Sequence, residues 1–227
     1  MNVLQSILSR KRRTEPVTLR VMLVSDQESE YLWDYFDRTA LEGVELIISC
    51  GDLKPEYLSF LVTMLPVPLY YVRGNHDKCY DTTPPDGCVD LEEEGVVVFR
   101  GVRFAGFGGC KAGFEKPLHY SEDTMRKHIR KRANKFALHG GFDVLVTHSA
   151  ARGLGDAEDT FHQGFECFRE LLDKYHPSYH FHGHQHLSYN FRAQRTHQYG
   201  DTTIINGFNY HIVDITVPAL AQMQNRK

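Results

Sequence analysis

Five short apolar segments of this 227-residue chain each end in side chains that can bind a metal ion. The segments are rich in Val, Ile, Leu and Tyr, which is typical of buried β-strands. In chain order they lead to Asp26, to Asp52, to Asn75 and His76, to His148, and to His184 and His186. Ligand sites in α/β sheets lie beyond the carboxyl ends of the strands. The pattern therefore predicts a metal site at the carboxyl ends of these strands.

The segments between these strands predict an α/β protein with helices packed on the sheet. Four segments have helix-like patterns: 31–41, 55–65 with Pro55 in its first turn, 121–138 and 164–175. Two others resemble hairpins: 96–109, and 202–217 with its turn at Asn206-Gly207. Gly51, Gly74 and Gly183 precede the polar residues, where we expect sharp backbone turns that a residue without Cβ permits.

Length and composition predict one folded domain. Single α/β domains commonly have about 200–250 residues, and 41% hydrophobic residues suffice for a continuous core. We expect a peripheral N-terminal segment over residues 1–17, a domain over 18–217 and a tail over 218–227.

Several features predict a soluble, cytoplasmic protein. The five cysteines are scattered and form no C-x-x-C pair, which argues against disulfides and favours a reducing compartment. We find no secretory signal and no apolar run of membrane-spanning length, so we expect no membrane partner. A net charge of -3 gives no general attraction to nucleic acid. The basic segment 125–136 has apolar residues at helical spacing, so we interpret it as an amphipathic helix and not a nucleic-acid site.

The order of the polar motifs resembles that of the calcineurin-like metallophosphoesterase family, whose signature is D-x-H, G-D, G-N-H-[DE], an isolated His and G-H-x-H. The resemblance covers residues from about 18 to 215, nearly the whole chain. The corresponding motifs here are Asp26-x-Glu28, Gly51-Asp52, Gly74-Asn75-His76-Asp77, His148 and Gly183-His184-Gln185-His186. The resemblance implies a four-layer sandwich in which two mixed β-sheets are flanked by helices.

The resemblance also implies two divalent metal ions and a division of roles. The first ion would be held by Asp26, Asp52 and His186, and the second by Asp52, Asn75, His148 and His184, so that Asp52 bridges them. The implied reaction is hydrolysis of a phosphoester by metal-bound hydroxide. His76 would protonate the leaving oxygen, with Asp77 orienting its ring and raising its pKa, and Asn75 would also contact substrate. His180 and His182 lie earlier on the strand, where we expect packed histidines.

Glu28 is a departure, since the family has His at this position. Its carboxylate either replaces the histidine as a ligand or points to solvent or a water, which would leave the first ion weakly bound. If Glu28 ligates, three carboxylates leave two ions a net charge of about +1 instead of about +2. From this weaker Lewis acid we expect a preference for Mn or Fe, with Zn or Mg possible, an alkaline optimum, and some preference for phosphodiesters over monoesters.

Alternatives remain at the edge of the site and in the function. His162 either contacts substrate or, with Asp159, caps a helix. The rival functions are a phosphomonoesterase, a nuclease of the same superfamily, and a non-catalytic protein-binding platform similar to a retromer subunit with an impaired first metal site. The intact pair His76 and Asp77 favours an enzyme. No feature predicts an oligomeric state.

Overall fold

A computed structural model of the chain describes residues 13–114, 116–189 and 194–220. The strands of the five-stranded sheet are β1 (Val17–Ser25), β2 (Leu46–Ser49), β3 (Leu69–Tyr71), β4 (Val89–Asp90) and β13 (Asn209–Val217). The strands of the six-stranded sheet are β5 (Val97–Phe99), β6 (Val102–Phe107), β9 (Val144–Thr147), β10 (Tyr179–His182), β11 (Thr196–Tyr199) and β12 (Thr202–Asn206). Their spatial orders are β13-β1-β2-β3-β4 and β11-β12-β10-β9-β6-β5. A small parallel pair is formed by β7 (Cys110–Lys111) and β8 (His119–Tyr120).

The α-helices of the described residues are α1 (Pro55–Met64), α2 (Leu91–Glu94), α3 (Glu122–His139) and α4 (Glu166–Tyr175). Side chains alternate along β1: Leu23 faces the six-stranded sheet, whereas Met22 packs with Leu58 of α1. On the other sheet Val146 of β9 faces inward and Leu145 packs with the residues of α3 and α4. Three apolar cores therefore separate four layers, which confirms the predicted sandwich.

Three of the four predicted helices, those over 55–65, 121–138 and 164–175, are confirmed as α1, α3 and α4. Ser121 caps α3 by accepting the Thr124 N–H. Met125 and Phe136 of α3 are buried, as the amphipathic pattern predicts. The predicted helix over 31–41 is wrong, because this segment contains only the short 3-10 helices Glu30–Leu32 and Arg38–Leu41. Between them the Asp37 carboxylate accepts the Thr39 N–H and hydroxyl, a local contact that competes with continued helix.

The hairpin predicted over 96–109 is confirmed, since β5 and β6 pair antiparallel through Arg100-Gly101, both at positive φ. The hairpin predicted at Asn206-Gly207 is wrong. β12 pairs with β10 and β11 in one sheet, whereas β13 pairs with β1 in the other, so the chain crosses between the sheets at Gly207. The Asn206 side chain ends β12, because its carbonyl accepts the Phe208 N–H and its amide donates to the Gln185 carbonyl.

The cysteines and the helices agree with the absence of disulfides and of membrane-spanning helices within the described residues. All five cysteines are free. Over residues 13–114, 116–189 and 194–220, no helix is both long and apolar enough to cross a membrane.

Arg13 lies within the segment predicted to be peripheral, yet its side chain is buried against the domain. It forms two hydrogen bonds with the Asp143 carboxylate, at 2.9 and 3.0 Å, and Arg103 forms two more from the other side, at 2.7 and 3.0 Å. Arg13 also donates to the carbonyls of Gly101 and Pro218. This buried ion triad attaches the start of the described chain to β6 and to the C-terminal residues.

Replacing Asp143 with Asn is expected to lower the free energy of unfolding by about 3–5 kcal/mol, because two buried arginines lose their counter-charge. Although burial raises the pKa of Asp143, its bonds to Arg103 and Arg13 outweigh that effect and lower it. The difference between the proteins should therefore shrink as the pH falls below about 4, where the unfolded carboxyl is protonated. Denaturant titrations at several pH values measure both effects.

The matched control is Asp214→Asn, which removes an exposed pair with Arg20 and should cost at most about 1 kcal/mol. Equal losses in Asp143→Asn and Asp214→Asn would contradict a special role for the buried triad.

Candidate metal centre

The five strands predicted to lead into the site are all present, and their carboxyl ends meet where the two sheets adjoin. Asp26 follows β1, Asp52 follows β2, and Asn75 follows β3. His148 and His184 follow β9 and β10 of the other sheet. Contacts cross between the sheets, because His148 Nε2 lies 2.9 Å from Asn75 Oδ1 and 3.3 Å from Asp52 Oδ2.

Asp52, His148 and His184 form the most compact group of potential ligands in the described chain, since ligand atoms of all three lie within 4.8 Å of one another. The His148 ring donates from Nδ1 to the Cys50 carbonyl at 2.8 Å, which directs Nε2 toward Asp52. His184 Nε2 contacts the Phe161 carbonyl at 2.8 Å, so its hydrogen lies there and Nδ1 carries the lone pair. A carboxylate and two imidazoles fixed by backbone carbonyls fit a divalent transition metal.

The charges of Asp52 and His148 depend on each other. Burial alone would raise the pKa of Asp52, but His148 and the His76 N–H outweigh it and lower that pKa. Burial alone would lower the pKa of His148, yet Asp52 raises it to about 9. A metal ion at this position would replace the imidazole proton as the counter-charge of the carboxylate.

Asp26 and His186 lie side by side next to this group. His186 Nε2 is 3.8 Å from Asp26 Oδ1. Both carboxylate oxygens of Asp26 accept the backbone N–H of His184 at 3.0 Å. Burial raises the pKa of Asp26. Two of the three residues predicted to hold the first ion, Asp26 and His186, are thus neighbours, and the third, Asp52, belongs to the compact group beside them.

Glu28 is directed elsewhere. Its Oε1 accepts the Lys54 backbone N–H and its Oε2 contacts the Lys54 ammonium, both at 3.3 Å. No pattern in the sequence indicates that Lys54 is the partner of Glu28. The role of Glu28 as a metal ligand remains a prediction.

Asp77 holds two loops of the site together. Its buried carboxylate accepts the backbone N–H groups of Asp52 at 2.9 Å and of Gly74 at 2.6 Å. It therefore joins the loops after β2 and β3, and its role in orienting His76 remains a prediction. Burial and the nearby Asp52 raise the pKa of Asp77 to about 6.

The residue predicted to be the general acid lies at the surface of the site. The His76 side chain is exposed, while its backbone N–H donates to Asp52 Oδ1 at 2.8 Å. Its backbone is therefore fixed to a predicted metal ligand, and its imidazole faces solvent.

His162 lies in a turn beside His184. Asp159 accepts the backbone N–H of Phe161 and of His162 within this turn, and also contacts the His162 ring at 2.8 Å; it caps no helix, because α4 begins at Glu166 with Phe165 as its N-cap. The same ring lies 5.2 Å from the His184 ring, centroid to centroid. Sequence reasoning missed the carbonyls of Cys50 and Phe161, because backbone acceptors give no signal in residue type. His180 and His182 are buried in β10, as predicted.

Two glycines are required for a reason different from the one expected. Neither Gly74 nor Gly183 has a positive φ. A Cβ on Gly74 would lie 2.0 Å from Asp52 Oδ1, and one on Gly183 would lie 2.0 Å from Ser25 Oγ. Close approach of neighbouring chain segments, and not a sharp turn, excludes a side chain at these positions.

Comparison with known proteins identifies the superfamily of the chain. The fold of two mixed sheets flanked by helices is that of the calcineurin-like phosphoesterases. The sequence model of the calcineurin-like phosphoesterase superfamily domain matches residues 19–207, and the chain belongs to this superfamily. No curated protein sequence matches the chain.

Solved structures share the fold at low sequence identity. The chain of one crystal structure is 16% identical, with a TM-score of 0.64. The match covers 87% of this chain and 95% of that chain. The protein TT1561 of Thermus thermophilus is 14% identical, with a TM-score of 0.61. The match covers 89% of this chain and 99% of that chain.

Replacing Gly183 with Ala is expected to destabilise the protein by about 1–3 kcal/mol, because the new methyl group displaces Ser25 or Asp26. Since the same shift moves His184, Mn²⁺ affinity should fall by about 10-fold or more. Thermal unfolding and calorimetric Mn²⁺ titration measure the two effects. The control is Gly113→Ala, whose methyl group would meet nothing within 4 Å. Unchanged metal affinity in Gly183→Ala would contradict the proposed ligand geometry.

Proposed function

We propose that this protein is a metal-dependent phosphoesterase that uses two divalent ions. One observation carries the proposal: in a chain of the calcineurin-like phosphoesterase superfamily, Asp52, His148 and His184 converge within 4.8 Å at the carboxyl ends of parallel strands. Three side chains that lie far apart in the sequence have no packing reason to converge there, and their chemistry suits a transition metal.

The proposed ligands are those that the family resemblance implies, and the convergence of Asp52, His148 and His184 supports part of this set. Asp52, Asn75, His148 and His184 hold one ion, and Asp26, Asp52 and His186 hold the other, with Glu28 as a further ligand. Manganese or iron is the preferred metal, because carboxylate and amide oxygens form a large share of this set. Bound divalent ions supply a water of lowered pKa and neutralise charge on the phosphoryl oxygens.

His76 donates a proton to the leaving oxygen of the phosphoester. The bond from its backbone N–H to Asp52 Oδ1 fixes its position relative to the ligands, and the exposed ring can reach a group that departs toward solvent. Asp77 is a positioning residue, since its two backbone hydrogen bonds hold the loops that carry Asp52 and Asn75. His162, beside the His184 ring, contacts the substrate at the edge of the site.

Replacing His76 with Asn is expected to reduce kcat by about 10²–10⁴-fold for an alkyl ester, because a poor leaving group needs protonation. For a p-nitrophenyl ester the loss should be much smaller, since nitrophenolate departs without a proton. Steady-state rates on both esters, with metal content measured on the same samples, check this prediction.

The control is His176→Asn, at the residue that follows α4 near the amino end of β10, on the opposite side from the site. This variant should retain full activity. Loss of metal from His76→Asn, or equal losses on both esters, would exclude His76 as the general acid.

A phosphodiester is the substrate class that the charges favour. Asp26, Asp52 and Asp77 place carboxyl groups around the site, and two cations near the motifs already have partners. Lys54 pairs with Glu28, and Arg73 pairs with Asp81 and Asp90. With two divalent ions bound, a third carboxylate from Glu28 would lower the net charge of the site from about +2 to about +1, so a dianionic monoester is attracted less strongly relative to a singly charged diester.

With Mn²⁺ bound, kcat/KM is expected to be about 10-fold or more higher for bis(p-nitrophenyl) phosphate than for p-nitrophenyl phosphate, with an alkaline optimum. This corresponds to about 1.4 kcal/mol of electrostatic discrimination. Rates measured from acid to alkaline pH with Mn²⁺, Fe²⁺ and Zn²⁺ check it. A zinc-dependent monoesterase with an acid optimum would contradict the substrate assignment, and metal binding without any hydrolysis would favour a binding platform.

A further inference from the structure

The ion pair between Glu28 and Lys54 joins a predicted metal ligand to helix α1. Both oxygens of Glu28 are engaged, one by the Lys54 N–H and one by the Lys54 ammonium, each at 3.3 Å. The carboxylate is 29% exposed and the ammonium side chain 73% exposed, so the contact is accessible to solvent and can be broken.

Two features direct Glu28 toward α1. Lys54 immediately precedes Pro55, the first residue of α1, and the amino end of a helix attracts a carboxylate. The neighbouring Ser29 donates its N–H to the hydroxyl of Tyr57, which is fully buried in α1. The backbone beside Glu28 is therefore attached to this helix, and its side chain follows the same direction.

The two groups of ligands differ in whether a lysine or arginine side chain is paired with one of their members. Within the described contacts, Asp52, His148 and His184 face one another, and no lysine or arginine pairs with Asp52. In the other group, Asp26 and His186 are 3.8 Å apart while Glu28 is bound to Lys54. An ion that recruits Glu28 must first displace the Lys54 ammonium and the backbone N–H.

We propose that the two metal positions have unequal affinities and that Lys54 competes with the ion at Asp26 and His186 for Glu28. The inference rests on the proposed function, which supplies the two metal positions. It adds a specific regulator: the weaker position gains Glu28 as a ligand, and with it its full affinity, only when the contact between Glu28 and Lys54 opens.

Calorimetric titration of the chelator-stripped, full-length protein with Mn²⁺ tests this proposal. We expect two binding events, the second weaker by about 10-fold or more. Lys54→Ala should increase the Mn²⁺ affinity of the second binding event by about two- to fivefold, which is the contribution expected of an exposed ion pair. Lys54→Arg, which keeps the charge, should match the wild type. Glu28→Ala should weaken the second event and leave the first unchanged. Electron paramagnetic resonance at one equivalent of Mn²⁺ should show an isolated ion.

Two equal binding events in the wild type, or no change of the second event in Lys54→Ala, would overturn the inference while leaving the proposed function intact. Failure to bind Mn²⁺ at all, or a first event that survives His148→Ala, would instead overturn the proposed function. Circular dichroism of each variant establishes that the fold is retained.

Discussion

The candidate metal centre depends on close contact between the two sheets. Gly183, after β10, packs so tightly against the side chains of Ser25 and Asp26, at the end of β1, that any side chain on Gly183 would overlap them. The next residue, His184, donates its N–H to the Asp26 carboxylate, and Cys50, after β2, accepts a bond from the His148 ring. Each contact joins one sheet to the other at the position where the predicted ligands lie.

This contact has an electrostatic consequence. It removes ionisable groups from water, so burial raises the pKa of Asp26 and lowers that of His184 to about 3. A buried carboxylate needs a counter-charge, and a neutral imidazole offers a nitrogen lone pair. A bound cation satisfies both groups. The same packing that closes the core therefore prepares a site for a metal ion, and metal binding should in turn stabilise the contact between the sheets.

The strands and the polar residues that follow them could be predicted, because strands buried on both faces appear as apolar runs and the motifs mark their ends. The alternation of Met22 and Leu23 between two cores follows from the same rule. Other features depend on contacts that the local sequence does not determine. The turn at Asn206-Gly207 looks like a hairpin, and only the pairing of β13 with β1 reveals a crossover. Lys54 lies 26 residues from Glu28, and no local pattern links them.

The most direct test of the metal centre is anomalous diffraction from crystals of the protein grown with Mn²⁺. We predict a strong anomalous peak within coordination distance of Asp52, of His148 Nε2 and of His184 Nδ1, with the Cys50 and Phe161 carbonyls still bonded to the other ring nitrogens. A peak elsewhere, or none in protein that hydrolyses phosphoesters, would contradict it.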